Sequence, residues 1–463
     1  MRAGGLRARL SAVGVAALTA ALPCGRALAQ AAPEGDEYLK DDVGGGFIDQ
    51  LTTEARVGTM LRESYFSRTK PNDNGPSAQA GGIGGWFYAE TGEYEKFLTF
   101  GGVLAYVAPL SAPAGHGGNF VLKDPDQQGY ATVGAAYARL RYDENALYAG
   151  RLEPTFAWSL DGIYRFYNRF DGAFIGRRDI RGMIPLAYEG ATVAGQLLNE
   201  TVRYYAGWVD KMKQLNDSSF KNLASAALLP GYSDGMAFGG AQWKINNDMM
   251  LQGGYHKANN LLDIGWVDLD SVYRMGKDQY LRLDVQYIEQ QPTGENNLGA
   301  FSTSNRAAYV EARWWPWLIP YAMIGRNGDG DELRSPFSLG PSYLSQRIGE
   351  NAKAGEHTWI FGTTFDFATL GASGLAFDAN YGERSDRHLK NNAAQPLANW
   401  DELSTDLIYI LGKYAGVFEG IRVRARWARV WERGDQYSSG VITDLNQKTT
   451  DVRLDLQWKI AFR

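Results

Sequence analysis

The sequence predicts an all-β chain closed into a transmembrane antiparallel barrel of about eighteen strands. Three observations predict it. Segments of the chain alternate apolar and polar residues with period two. The connections between them alternate long and short. After residue 29 no run of about 18 apolar residues offers a membrane helix.

Period two is the mark of a strand with two unlike faces. The final segment is the clearest. Val452, Leu454, Leu456, Trp458, Ile460 and Phe462 fall on one face, and Arg453, Asp455, Gln457, Lys459 and Arg463 on the other. Its run of some eleven residues is the length that crosses a bilayer. Ile421, Val423, Ala425 and Trp427 likewise oppose Arg422, Arg424 and Arg426. Leu281, Leu283, Val285 and Tyr287 oppose Arg282, Asp284 and Gln286. Charges on one face need water, and the apolar face needs lipid or a core. The predicted strands are 53–66, 81–91, 95–107, 128–142, 145–153, 188–197, 200–211, 235–245, 248–258, 264–274, 278–290, 305–315, 318–327, 355–367, 373–384, 400–411, 420–433 and 449–462.

The connections give independent support. After the even segments up to the twelfth they are short, such as Asp143-Glu144-Asn145 and Asn246-Asn247. After the odd ones, the seventeenth included, they are mostly long, such as 108–127, 154–187 and 328–354. The gap after the ninth segment is short and that after the sixteenth long, against the trend. Short periplasmic turns and long extracellular loops make this pattern.

The rest of the chain supplies an address and several exclusions. Arg2, Arg7 and Arg9, the apolar stretch 10–22 and Ala27-Leu28-Ala29 form the three parts of a secretory signal, so 1–29 reads as a signal peptide. Residues 30–50 read as a flexible leader and 51–463 as the barrel. The only cysteine, Cys24, precedes the expected cut, so the mature barrel has no thiol chemistry. The net charge of −5 gives no reason to expect nucleic acid. The 13 Trp and 26 Tyr suit a boundary between lipid and water. No cofactor, metal site or catalytic set is expected. His116, His256, His357 and His388 lack ligand spacing, and His256 has no serine partner in view. Asn327-Gly328-Asp329-Gly330-Asp331-Glu332 looks like part of a calcium loop but lacks the glycine and distant glutamate at EF-hand spacing. Gly81 to Gly85 precedes no Lys-Ser/Thr.

Four stretches carry a resemblance. They are Ala55 to Gly58 with Arg62 to Arg68, Tyr148 to Pro154, Arg181 to Gly190, and the final Arg-rich strands. With these the chain resembles the OprD-type outer-membrane porins. The resemblance implies an eighteen-stranded channel of the Gram-negative outer membrane for small substrates, often carboxylates. It also implies a row of basic residues in the lumen and an inward loop after the fifth strand. The last residue here is Arg463, after Phe462, where many such barrels end in an aromatic residue that the assembly machinery reads.

A barrel of this size cannot fill its interior with wall side chains, so a water-filled lumen is expected. Arg139, Arg141, Arg151, Arg203, Arg282, Arg313, Arg422, Arg424, Arg426, Arg453 and Lys459 fall on the polar face as a candidate ladder. A guanidinium holds a carboxylate with two parallel hydrogen bonds, and a row of them can pass one along. Three arginines at period two, Arg422, Arg424 and Arg426, must point the same way. The alternative is that these arginines are ordinary lumen residues balanced by acids such as Asp284, Glu311 and Asp455. The stretch 154–187 is the candidate constriction loop. It carries Asp161, Arg165, Arg169, Asp171, Arg177, Arg178, Asp179 and Arg181, interleaved with aromatics. An external loop against lipopolysaccharide is its alternative.

The expected function is passive diffusion of small hydrophilic solutes, with a lean to anionic or carboxylate-bearing ones. The expected partners are outer-membrane lipid and lipopolysaccharide, the solutes and the barrel assembly machinery. A homotrimer is left open. The competing readings are a barrel lipase or protease, and a plugged barrel acting as a surface-binding protein.

Overall fold

The computed structural model describes residues 54–461, apart from 71–76, 118–120, 124–125, 153–182, 185, 200, 277–278, 335–336, 338–341, 343, 350, 391 and 413–417. The signal and leader, 1–50, lie outside the described residues.

Eighteen strands follow one another around the wall. They are β1 (Arg56–Thr69), β2 (Ala78–Glu90), β3 (Leu98–Ser111), β4 (Tyr130–Tyr142), β5 (Asn145–Leu152) and β6 (Ala187–Leu197). Next come β7 (Val202–Lys213), β8 (Met236–Asn246), β9 (Met249–Ala258), β10 (Leu262–Arg274), β11 (Tyr280–Pro292) and β12 (Thr303–Arg313). The last six are β13 (Leu318–Asn327), β14 (His357–Asp366), β15 (Leu375–Ser385), β16 (Asn399–Ile410), β17 (Arg422–Ser438) and β18 (Val441–Ala461). Each pairs antiparallel with the next. The ring closes where β1 pairs with β18, from Gly58 opposite Ala461 to Thr69 opposite Thr450. Closure leaves no sheet edge, which is the condition for crossing hydrocarbon with strands. No helix among the described residues is long and apolar enough to cross a membrane.

The predicted alternation is the observed one. Val423, Leu454 and Leu456 are exposed on the outside, while Arg424, Arg426 and Arg453 between them are buried. On β11 the exposed Leu281, Leu283 and Val285 alternate with the buried Arg282, Asp284 and Gln286. All eighteen predicted segments coincide with strands. The connection after β17 differs from its expected long loop. Residues 434–446 continue as a hairpin whose turn is Ser439-Gly440, both with positive φ (50° and 89°). Two residues in that conformation match the twist of a strand pair.

Short turns gather at one end, with both ends of the described chain, and long loops at the other. The loops fold inward. Residues of 214–235 and 328–337 pack with the inner wall of β6 to β11 in an apolar cluster that includes Leu223, Phe301, Leu333 and Phe337. The water-filled interior expected from strand number is therefore narrowed on this side by loop side chains. Small residues make room on the wall itself. A Cβ at Gly362 would collide with the ring of Tyr321, which crosses that position to bond both carboxylate oxygens of Asp378 at 3.1 Å.

Candidate functional site: a charged lumen wall

The β16, β17, β18 and β1 strands present even-numbered, even-numbered, odd-numbered and even-numbered residues to the lumen, as their cross-strand register requires. This brings Asp406, Arg424, Arg426, Asp451, Arg453, Asp455, Arg62 and Arg68 onto one stretch of wall. Three aspartates there are each shared by two arginines. Asp455 lies 3.4 Å from Arg62 and also pairs with Arg426. Asp451 lies 2.8 Å from both Arg68 and Arg453. Asp406 accepts from Nε of Arg424 at 2.8 Å and lies 3.6 Å from Arg347. Among the described residues, six guanidiniums thus meet three carboxylates in this group.

Arg347 comes from the loop between β13 and β14. That loop enters the barrel because buried groups of the wall satisfy its backbone. Glu402 of β16 accepts the N–H of Ile348 (2.9 Å) and of Gly349 (2.7 Å). Arg384 of β15 donates to the carbonyls of Leu344 (3.3 Å) and Gly349 (3.1 Å). Leu344 packs among Tyr309, Tyr321, Met323 and Ile360. Asn351 is fixed by Asn305, Glu356 and Thr358. Burial, and then the like charges of Arg426, Arg453 and Arg424, hold the Arg347 guanidinium well below the usual arginine range. An anion approaching this group would relieve that repulsion.

A second stretch of wall is rich in acidic residues. Asp268 and Asp270 of β10, Asp284 of β11 and Glu311 of β12 surround Arg282, which lies 3.1 Å from Asp270 and 3.8 Å from Asp284. Gln252 donates to Asp268 at 3.2 Å, and Tyr280 and Tyr309 donate to Glu311. The acidic stretch occupies β10 to β12 and the basic one β16 to β1, so β13 to β15 separate them on one side of the ring and β2 to β9 on the other.

Most of the expected ladder residues share the inner face. Arg139 and Arg141 stand near the short-turn end with Glu90 and Glu93. Arg203 lies opposite the buried Gln242. Arg313 pairs with Asp366 at 3.3 Å. Arg422 follows the parity of Arg424, and Lys459 is exposed near the same end. Arg151 is a correction. On β5 the inner face carries Tyr148, Gly150 and Leu152, whereas Arg151 shares the outer face with the exposed Leu147. It pairs there with Glu189 at 3.2 Å, and Lys211 joins the same carboxylate at 2.8 Å. Sequence reasoning passed over Arg62, Arg68, Arg347 and Arg384. Period two along Arg62, Ser64, Phe66 and Arg68 would have found the first two.

The candidate constriction residues Asp161, Arg165, Arg169, Asp171, Arg177, Arg178, Asp179 and Arg181 lie outside the described residues. The end of their loop is described. Met183 and Ile184 are buried against the inner-wall residues Phe66, Ala80, Ala105 and Val107. Among the described residues no cluster of His, Cys, Asp and Glu could hold a metal ion.

A family model for the outer membrane porins of the OprD family matches residues 123–462. The chain belongs to that family. Solved structures share the fold of this OprD-family porin. OccK9 (OpdG) of Pseudomonas aeruginosa superposes with a TM-score of 0.72 at 17% identity, over 89% of this chain and 100% of that one. A BenF-like porin of Pseudomonas fluorescens Pf-5 gives 0.72 at 16% identity, over 89% and 100%. OpdK of Pseudomonas aeruginosa, in a crystal structure with vanillate, gives 0.68 at 17% identity, over 88% and 100%. No curated protein sequence matches the chain. The porin therefore stands in the outer membrane, with its short turns periplasmic and its long loops extracellular.

Proposed function

We propose that this porin passes small hydrophilic solutes by passive diffusion and prefers those bearing a carboxylate. The observation that carries the reading is the sharing of Asp406, Asp451 and Asp455 by six arginines. Arginines outnumber the aspartates they share, which favours an anion, and each guanidinium offers the planar fork that a carboxylate fits. The balanced-lumen alternative would require one carboxylate for each arginine, as holds for Arg384 and Arg387 beside Glu356 and Glu402. The acids Asp268, Asp270, Asp284 and Glu311 elsewhere on the wall would orient a dipolar solute with its anionic end toward the arginines. Vanillate, found with OpdK, is a carboxylate, which agrees with this preference.

Loop 154–187 completes the constriction in this reading. The inward packing of Met183 and Ile184 supports it. Residues 1–29 serve as the export signal and are removed. The ladder and both inward loops act by charge and size alone, and no reaction is involved.

The test is reversal potential and single-channel conductance in planar bilayers with a panel of carboxylates and matched neutral solutes. Anion selectivity with conductance that saturates for carboxylates is the expected result. A non-selective pore would refute the carboxylate preference. One observation favours a second reading, a closed barrel that binds partners through its loops. The 328–356 loop is tied into the lumen by Glu402 and Arg384. Absence of any conductance would support that reading over the first.

A further inference from the structure

We propose that the outer face of β17 and β18, at the extracellular boundary of the apolar band, binds the phosphate of an outer-leaflet lipid through Arg429, Arg433 and Lys448. The parity of β17 puts these residues outside. Val423, Ala425, Trp427, Arg429, Trp431 and Arg433 follow one another on the face turned away from Arg424 and Arg426. Lys448 of β18 lies directly opposite Trp431, and Thr450 opposite Arg429. None of the three cations can reach the lumen from this face.

Their height is set by the strand. The ring contact of Phe418 with Trp458, at 6.0 Å, marks the periplasmic edge of the apolar band. Val423, Leu454 and Leu456 above it are exposed to lipid. Thr450 is eight residues beyond Trp458 on the same strand. With a rise of about 3.4 Å and a tilt near 40°, that is about 21 Å along the membrane normal. The apolar band of such barrels is about 25 Å tall. Arg429 therefore emerges where hydrocarbon gives way to headgroups, Lys448 stands one step further out and Arg433 two. Trp427 and Trp431 are the residue type that anchors a barrel at this boundary.

The charge is only partly answered by the protein. Arg433 pairs with Asp401 at 2.9 Å. Arg429 donates to the neutral Thr450 hydroxyl at 3.4 Å and lies 5.7 Å over the Trp427 ring. Neither Arg429 nor Lys448 has a carboxylate partner among the described residues. A phosphate monoester carries the charge and the three oxygens to meet an arginine fork on one side and an ammonium on the other. Inorganic phosphate shares that chemistry, but only a lipid also covers the adjoining apolar wall.

The experiment is native mass spectrometry of the full chain in detergent. It would be titrated with a bis-phosphorylated acyl-disaccharide lipid, with the same lipid lacking phosphates, and with inorganic phosphate. Wild type is expected to bind the phosphorylated lipid about tenfold more tightly than the dephosphorylated one. The double variant R429Q/K448Q is expected to lose that factor while R429K keeps most of it. Inorganic phosphate is expected not to displace the lipid at equal concentration. Equal binding of the two lipids by wild type, or equal binding of the phosphorylated lipid by wild type and R429Q/K448Q, would overturn the proposal. Displacement by equimolar inorganic phosphate would overturn the lipid as occupant. Should the double variant not fold, R429Q alone carries the same comparison. Wild-type conductance in either variant shows that the lumen is untouched.

Discussion

The triple variant Arg347→Gln, Arg426→Gln and Arg453→Gln removes one arginine from each shared aspartate. Each carboxylate keeps a partner: Asp406 keeps Arg424, Asp455 keeps Arg62 and the Ser64 hydroxyl (2.6 Å), and Asp451 keeps Arg68. No buried acid is stranded, so the several kcal/mol cost of breaking a buried pair should not arise. The formal charge summed over these nine side chains alone falls by three, from three to zero. Three unit charges about 6 Å from a passing anion attract it by about 2 kcal/mol in a water-like dielectric. Screening at 0.15 M salt, with a Debye length near 8 Å, leaves about 1 kcal/mol, or an enrichment of about fivefold. At 1 M salt the Debye length of about 3 Å leaves less than a twofold effect. Reversal potentials in planar bilayers should therefore show anion permeability falling about fivefold at 0.15 M and hardly at all at 1 M. Selectivity unchanged within about twofold at low salt would refute the reasoning. A loss equally large at both salts would point to a structural cause instead.

Three further outcomes follow from the same wall. Arg151→Gln should leave ion selectivity as in wild type in the same bilayer assay, because its side chain lies outside. Glu402→Ala removes the acceptor of two loop N–H groups, so single-channel traces should show larger or noisier conductance than wild type. Identical traces would mean the loop is held by other contacts. Leu454→Arg puts a charge on the lipid face about one third to one half of the way across. It should cost about 2–4 kcal/mol in urea unfolding from lipid vesicles, whereas the same change at Thr450 should cost about 1 kcal/mol or less.

The strands were legible because their two faces meet different solvents. Val452 to Phe462 could be assigned a face without any knowledge of neighbours, since Arg453 and Asp455 cannot face hydrocarbon. The signal weakens where both faces are wet. Residues 434–446 carry polar groups on both sides, so the hairpin beyond the membrane read as a loop. It weakens again where side chains are small. In β5 the run Ala146, Ala149 and Gly150 leaves too little contrast to fix parity, and Arg151 was placed on the wrong face. The direction of a loop is a different kind of information. The entry of residues 344–349 into the lumen depends on Glu402 and Arg384, about fifty and forty residues away. No local pattern around Arg347 announces those partners. The inward direction of Arg424, Arg426 and Arg453 was legible from period two. Their sharing of aspartates was not, because it depends on which rungs of β16, β17, β18 and β1 come level.

The seam between β1 and β18 has a consequence for how the molecule is made. Twelve rungs there join residues nearly four hundred positions apart, the most distant partners in the wall. Until they meet, two long edges carry unbonded amides and carbonyls that hydrocarbon will not accept. Contacts so remote in sequence also form slowly, since a large loop must be ordered before any reward arrives. A chain shortened by its final hairpin should therefore linger as an open sheet on the periplasmic side, exposed to proteases. Completion of the ring, and not the formation of any single strand, is what leaves the wall without an unbonded edge.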